Sequence, residues 1–287
     1  MDRKLLIAGS VFVLALVGGV AVWQLTTKGR DQSSSVSQST SQAQRANPET
    51  SQIASAPPAP TAALSWQQTA GGWQAVGSVP DCPAQPMMTL PADLSQVTSI
   101  LYPGQTRGGN YKPHGGFRFD NRPNNDIAVE APLDGFLVRG SRYLELGEVQ
   151  YAIDIMHNCG IMYRFDHLRV LSPAVQAIAD TWPAPSEGDS RTNPVQPPLA
   201  ITQGMVLATS VGFEQTNNVG FDWGVYDFRT ENEASASAAY QAAHAQDAEL
   251  AWHAVCWFDW LPRSDQAAVR GLPAGDSTSG TASDYCK

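Results

Sequence analysis

The fold is decided by the stretch VQYAIDIMHNCGIMYRFDHL, residues 149–168. Over residues 149–156, Val149, Tyr151 and the two following isoleucines alternate with the intervening side chains, which is the two-residue period of a β-strand. The Asn-Cys-Gly segment that follows is typical of a turn, and residues 161–165 predict the return strand. The stretch therefore predicts an antiparallel hairpin, with His167 just beyond its second strand.

Weaker signals surround this hairpin. Trp66 and Trp73 flank a Gly-Gly pair, which predicts a short hairpin, and residues 182–198 are rich in proline, which predicts a loop. Further elements are predicted as strands at residues 136–139, 201–207 and 221–228, and as an alanine-rich helix at residues 232–252. The sequence therefore predicts a mainly β protein, with an antiparallel sheet core and a C-terminal helical appendage.

The N-terminal segment predicts a membrane anchor. Residues 5–23 carry no charge, and nineteen residues of helix rise about 28 Å, which is close to one hydrocarbon core. Small residues at a cleavage site are lacking, so we expect an uncleaved signal anchor whose partner is the lipid bilayer. The predicted organisation is an anchor (1–30), a Ser/Gln/Pro-rich disordered linker (31–64), an N-terminal extension (65–103), the β core (104–230), and the appendage and tail (231–287).

Charge and cysteine content predict the compartment and exclude one class of partner. The net charge is −9, which argues against nucleic acid. Cys82, Cys159, Cys256 and Cys286 form an even set without Cys-x-x-Cys spacing, which favours disulfides over buried free thiols and an oxidising location. Three pairings are open, and one of them would join Cys82 to Cys286. We therefore expect a single-pass plasma membrane protein with an extracytoplasmic body.

Five short segments occur in a characteristic order. They are HGG at residues 114–116, APLDG at 131–135, FDHL at 165–168, GMVLATSVG at 204–212 and GFDWGV at 220–225. In order and spacing the chain from about residue 104 to 228 resembles the LytM/lysostaphin-like metallopeptidases, zinc endopeptidases that cut peptide cross-links in bacterial cell walls. The resemblance implies a LytM-like β core.

The resemblance also implies a site, and the site departs from the family pattern. The first zinc histidine corresponds to His114 and the catalytic histidine to His167, and both are present. The zinc aspartate corresponds to Arg118. The family's His-x-His pair corresponds to Gly220 and Asp222, so the third zinc ligand would be a carboxylate and a second catalytic histidine is missing. Tyr163, within the hairpin, is a further candidate binding residue.

An arginine in a ligand position is unfavourable to zinc. Catalytic zinc needs three protein ligands and an open position, and an arginine cannot give up its proton to ligate a metal. The sequence therefore predicts no cofactor in a binding module, or zinc held by His114, Asp222 and another group in an active enzyme. We expect Arg118 and Asp222 to pair with each other, because a guanidinium can lie where the metal lay and bind the carboxylate.

Three functions follow as expectations. The first is a degenerate module that binds peptidoglycan or regulates a cell-wall hydrolase. The second is an active metallo-endopeptidase that cuts peptidoglycan cross-link peptides, with His167 as general base. The third is a surface structural or adhesion protein. A fold alone does not distinguish between these functions.

Overall fold

The computed structural model describes residues 63–85 and 87–287. The predicted anchor (1–30) lies outside the described residues, as does nearly all of the predicted linker (31–64). Within the two described ranges, no helix is long and apolar enough to cross a membrane.

Antiparallel strands make up most of the described chain. The strands are β1 Trp66–Thr69, β2 Gly72–Ala75, β3 Ser99–Leu101, β4 Gln105–Arg107, β5 Asn110–Lys112, β6 Gly115–Arg118, β7 Val129–Glu130, β8 Gly135–Glu145, β9 Glu148–Met156, β10 Ile161–Leu171, β11 Asn193–Ile201, β12 Val206–Val211 and β13 Gly220–Asp227. The α-helices are α1 Pro173–Ala179, α2 Ala238–Ala243, α3 Ala248–Ala251 and α4 Arg263–Arg270. Short 3-10 helices lie at Leu94–Gln96, Glu233–Ala236, Ala245–Asp247 and Trp257–Trp260. The mainly β prediction with a C-terminal helical part is confirmed.

The central sheet brings distant segments side by side. Its strands follow the order β11-β8-β9-β10-β13-β6-β3, and β12 pairs with β10 and β7 away from this path. Strands β9 and β10 form the predicted hairpin, with Arg164 opposite Asp154. Strand β13 lies between β10 and β6, so it contacts segments about fifty residues apart in the chain.

The alternation along the strands divides the side chains between two faces. On one face, Ile153, Phe165 and Trp223 belong to the main apolar core, which contains no charged residue. On the other face, the neighbouring positions Asp154, Arg164 and Asp222 form a polar surface in the middle of the sheet. This second face also carries a smaller apolar cluster that includes Phe136, Met156 and Leu250. The polar surface carries the site described below.

The C-terminal appendage covers both faces of the sheet. Leu250 and Ala254 pack on the smaller cluster beside the polar surface, whereas Trp257 and Phe258 are fully buried in the main core. The predicted continuous helix over residues 232–252 is wrong, because the segment folds as two α-helices and two 3-10 helices. Polar side chains of this segment cap the short helices. For example, the Ser237 side chain accepts a hydrogen bond from the Tyr240 N–H.

Two strand boundaries also differ from the prediction. The strand expected over residues 201–207 is divided between β11, which ends at Ile201, and β12, which begins at Val206. Much of the predicted proline-rich loop belongs to β11. This strand lies at the sheet edge and pairs with β8 on one side. Proline has no N–H to donate, and an edge strand tolerates this because its outer side has no neighbouring strand.

Disulfides connect the extension and the tail to the core. Cys82 is bonded to Cys159 in the turn between β9 and β10, and Cys256 is bonded to Cys286. The expectation of disulfides is confirmed, whereas the pairing of Cys82 with Cys286 is not formed. Because the first bond closes a loop with a sequence separation of 77, it stabilises the fold by roughly 2–4 kcal/mol.

Candidate functional site

Three of the sequence-predicted side chains meet on the polar surface. His114 immediately precedes β6, Asp222 lies in β13 and His167 lies in β10, and β13 pairs with both of the other strands. The Oδ2 atom of Asp222 lies 2.9 Å from Nε2 of His114 and 3.7 Å from Nε2 of His167. These side chains are 16–24% exposed, so solvent reaches the site.

Two glycines make this close approach possible. A Cβ atom on Gly116 would lie 2.5 Å from the backbone oxygen of Phe221 and 3.1 Å from Oδ1 of Asp222. A Cβ atom on Gly224 would lie 2.3 Å from the Tyr226 hydroxyl and 3.0 Å from Cβ of His114. A side chain at either position would displace backbone or site atoms, since these contacts are far shorter than van der Waals distances.

Asp222 is held ionised by the positive groups around it. Burial by itself would raise the pKa of this carboxyl. The charge of His114, followed by those of His167 and Arg107, instead holds the pKa of Asp222 well below its usual range. Nε2 of His114 lies within ion-pair distance of Oδ2 of Asp222, but the ring N–H is not aligned with the carboxylate for a hydrogen bond. Nε2 of His114 therefore has no hydrogen-bond partner among the described residues.

Arg107 is a functional residue that the sequence analysis missed. Its guanidinium donates to the backbone oxygen of Tyr102 at 2.7 Å and to that of His114 at 3.1 Å. It thereby fixes the backbone at His114 while its charge favours the ionised form of Asp222. No spacing signal in the sequence connects Arg107 with the site, because the link runs through main-chain atoms.

The position of His167 depends on a local break in β10. The pairing of β10 with β9 shifts register between Phe165 and Leu168, and His167 has a φ of +61°. This left-handed conformation is uncommon outside glycine and asparagine and is enriched at functional sites. The alternation of side chains is interrupted there, so Asp166 and His167 both lie near the site.

Asp166 and Tyr143 hold His167 in place. Oδ1 of Asp166 accepts a hydrogen bond from the His167 backbone N–H at 2.8 Å and from the Tyr143 hydroxyl at 2.5 Å. That hydroxyl lies 3.5 Å from Nδ1 of His167. Adjacent residues of a regular strand point to opposite faces, but the register shift here lets Asp166 contact His167.

The expected pair between Arg118 and Asp222 is not formed in the described part of the chain. Arg118 lies on the same face of the sheet, close to Gly220. Its guanidinium instead binds Oδ1 of Asp120 at 3.2 Å, at an exposed edge. Asp222 is already compensated by His114 and His167, so the carboxylate does not require the arginine.

The donor set does not fit a closed zinc site. His114, His167 and Asp222 converge, but the arginine that corresponds to the family's aspartate faces Asp120. Among the described residues, no group of three or more His, Cys, Asp or Glu side chains has an arrangement suited to a metal ion.

Tyr163 does not belong to the site. It is fully buried on the opposite face of the sheet, and its hydroxyl donates to the backbone oxygen of Leu133 at 2.7 Å. Its odd position in β10 places it beside Phe165 in the core rather than beside Arg164 and Asp166. The prediction that Tyr163 is a binding residue is therefore corrected.

A segment of the appendage forms one wall of the site. Tyr111, three residues before His114, contacts the hydroxyl of Tyr240 at 2.5 Å and stacks on His244 with ring centroids 3.8 Å apart. Further along, Glu249 binds Arg139 at the end of the polar surface. The appendage therefore contacts the sheet beside the polar surface, and His244 serves packing there.

The site makes stability depend on pH. Burial would lower the pKa of His167, but Asp166, Asp222 and Glu145 together raise it despite the opposing charge of Lys112. Protonated His167 therefore stabilises the fold at pH values below about 6.5, and this contribution is lost as the pH rises through its folded-state pKa. Asp222, with a lowered pKa, stabilises the fold above about pH 4 and loses this effect in acid.

We expect Asp222→Asn to lower the pKa of His167 and to flatten the fall in stability above neutral pH. An NMR titration of the imidazole and denaturant unfolding over a pH series would measure both effects. Glu214→Gln is a matched control, since Glu214 pairs with Arg169 and is 69% exposed. A His167 pKa at or below about 6.5 in the unmodified chain would contradict this prediction.

Comparison of the chain with protein-family models, with curated proteins and with solved structures found no match.

Proposed function

We propose that this protein is a membrane-anchored, extracytoplasmic module with a degenerate LytM-like core, which binds cell-wall peptide or a cell-wall hydrolase without cutting. One observation carries the proposal. Arg118, at the position that corresponds to the family's zinc aspartate, turns away to Asp120, while Asp222 contacts His114 directly. The groove thus keeps two imidazoles and a carboxylate for binding but lacks one metal-ligand position.

The remaining groups of the groove suit peptide recognition. Asp222 and Asp166 supply acceptors, whereas the imidazoles of His114 and His167 supply donors when protonated. Asp222, Asp166 and His167 lie on strands of one sheet and His114 immediately precedes β6, so rigid strands hold these groups with little loss of conformational entropy on binding.

An active metallo-endopeptidase is the second candidate. The observation that favours it is the unpartnered Nε2 of His114, which lies against Asp222 without hydrogen-bond alignment. In this alternative His114 and Asp222 would hold zinc, the zinc would polarise the peptide carbonyl, and His167 would accept a proton from water. A third ligand would have to come from a group other than Arg118.

Metal content and wall binding together decide between these functions. We expect the full chain, purified in detergent after exposure to zinc, to hold far less than one zinc per chain and to sediment with isolated peptidoglycan sacculi or to capture a wall hydrolase. Asp222→Ala should weaken that binding, whereas Glu214→Ala, which removes one partner of an exposed ion pair with Arg169, should not. Stoichiometric zinc that is lost in His114→Ala, together with release of cross-link peptides, would establish the enzyme instead.

A further inference from the structure

A second cavity lies between the β1–β2 hairpin and the appendage. Its volume is about 620 Å³, and its lining does not include His114, His167 or Asp222. Volumes of this size are typical of small-ligand sites. Hairpin residues form one side, Phe228 follows β13, and Trp252 and His253 close the other side.

Aromatic rings dominate the lining. The rings of Trp73 and Phe228 have centroids 6.2 Å apart at 45°, and those of Phe228 and His253 are 5.0 Å apart at 46°. Trp252 adds a second indole. Tilted rings of this kind leave their faces unstacked on one another, so they present flat apolar surface to a ligand.

The polar lining offers both donors and acceptors. The lining carries the amide of Gln68 and the hydroxyl of Thr69, and the hydroxyl can both donate and accept. The carboxylate of Glu231 forms no ion pair or hydrogen bond with any described residue, and Gln68 uses its amide N–H on Glu249. A ligand with hydroxyl groups can satisfy both kinds of group, because a hydroxyl both donates and accepts.

Charge distinguishes among possible ligands. None of the described lining residues is lysine or arginine, and two are glutamates, which disfavours an anion. A cation is also disfavoured at the ring of Trp73, because the guanidinium carbon of Arg139 already lies 5.5 Å from its centroid. Glu249 is neutralised by the same arginine. A neutral ligand with an apolar face and many hydroxyls fits these constraints best.

We propose that this cavity binds a neutral saccharide, with a sugar ring stacked on Trp73 or Trp252 and its hydroxyls bound by Glu231 and Gln68. The proposal does not depend on the function of the His114 site, because His114, His167 and Asp222 do not line the cavity. Asp222→Ala, which impairs the first site, should leave saccharide binding unchanged.

The test is a calorimetric titration of the full chain with tri-N-acetylchitotriose. A polyoxyethylene detergent is required, since alkyl glycosides carry a sugar headgroup. We expect saturable binding that Trp73→Ala weakens by about tenfold or more, which corresponds to the loss of one stacking partner. Gln74→Ala is the matched control. Gln74 pairs with Gln67 on the outer face of the hairpin, whereas Trp73 pairs with Gln68.

Glu231→Ala tests saccharide binding with a substitution that should not affect folding, because Glu231 is exposed and its carboxylate has no described partner. We expect it to weaken saccharide binding by roughly threefold to tenfold, the loss of one hydrogen bond. Absence of saturable binding would overturn the proposal, as would unchanged affinity in Trp73→Ala and Glu231→Ala. Binding of tetramethylammonium in place of the saccharide would overturn it in favour of a cation site.

Discussion

Replacement of Asp154 by alanine is expected to lower the free energy of unfolding by about 3–5 kcal/mol, the range for removing one partner of a buried ion pair. Asp154 is fully buried in β9. Its carboxylate accepts from Arg139 in β8 and, at 2.6 Å, from Nε of Arg164 in β10. Alanine would leave two guanidinium groups in a poorly solvated place without their common partner.

The electrostatics of Asp154 agree with this expectation. Burial would raise the pKa of its carboxyl, but Arg164 and then Arg139 hold it below the ordinary value. The ionised form is therefore the one that the fold favours, and its contribution to stability is present above the ordinary aspartate pKa and lost in acid.

The loss should reach beyond the site of substitution. Arg139 also binds Glu249 in α3. An Arg139 that has lost Asp154 would therefore disturb the segment that covers the polar surface. Denaturant unfolding followed by circular dichroism measures the effect on stability. Glu214→Ala removes one partner of an exposed pair and should cost at most about 1 kcal/mol. Equal losses of unfolding free energy in Asp154→Ala and Glu214→Ala would contradict a structural role for Asp154 and its two arginine partners.

Regular alternation explains why the central hairpin could be predicted from the sequence. The two-residue period predicts Ile153 and Asp154 on opposite faces of the first strand, and the structure confirms this. In the return strand Phe165 lies in the core, and Arg164 lies opposite Asp154. The same two-residue period places Tyr163 on the face of Phe165, in the core. Periodicity is informative wherever a strand has one buried face.

The site could be predicted only in part, because its geometry depends on departures from regular structure. His114, His167 and Asp222 were identified from motif spacing, and they meet. The register shift near His167, which brings Asp166 and Tyr143 to the imidazole, has no periodic signal. The orientation of a long side chain such as Arg118 is likewise decided by local partners, which a linear spacing does not contain.

The same limit applies to the appendage. Alanine-rich composition favours helix, but the side chains of Asn232 and Ser237 accept from backbone N–H groups as N-caps, so each of them begins a new short helix. Tertiary contacts then decide the path, as when Leu250 packs against the sheet. Helix propensity alone therefore predicts that residues 232–252 are helical, but not where the segment divides into short helices.

The double substitution Arg118→Asp with Asp222→His is expected to convert the groove into a zinc site, and this expectation rests on the proposed function. His114, position 118 and position 222 lie on one face of β6 and β13, with Asp222 opposite Gly116 and Arg118 opposite Gly220. The change replaces a cation that cannot ligate by a carboxylate that can, and it exchanges the carboxylate at position 222 for an imidazole. Zinc that binds only the folded chain raises its free energy of unfolding by about 2.7 kcal/mol at roughly 100 times Kd.

Zinc content and the shift in unfolding on adding zinc would measure this gain, with the full chain in detergent. Each single substitution should hold little zinc, since Asp222→His leaves Arg118 in place and Arg118→Asp leaves the His114–Asp222 contact. Adding His114→Ala to the double variant should abolish the uptake. A folded double variant that takes up no zinc would show that these three positions do not share a metal-sized cavity, and the LytM-like interpretation of the core would then fail while the saccharide cavity would be untouched.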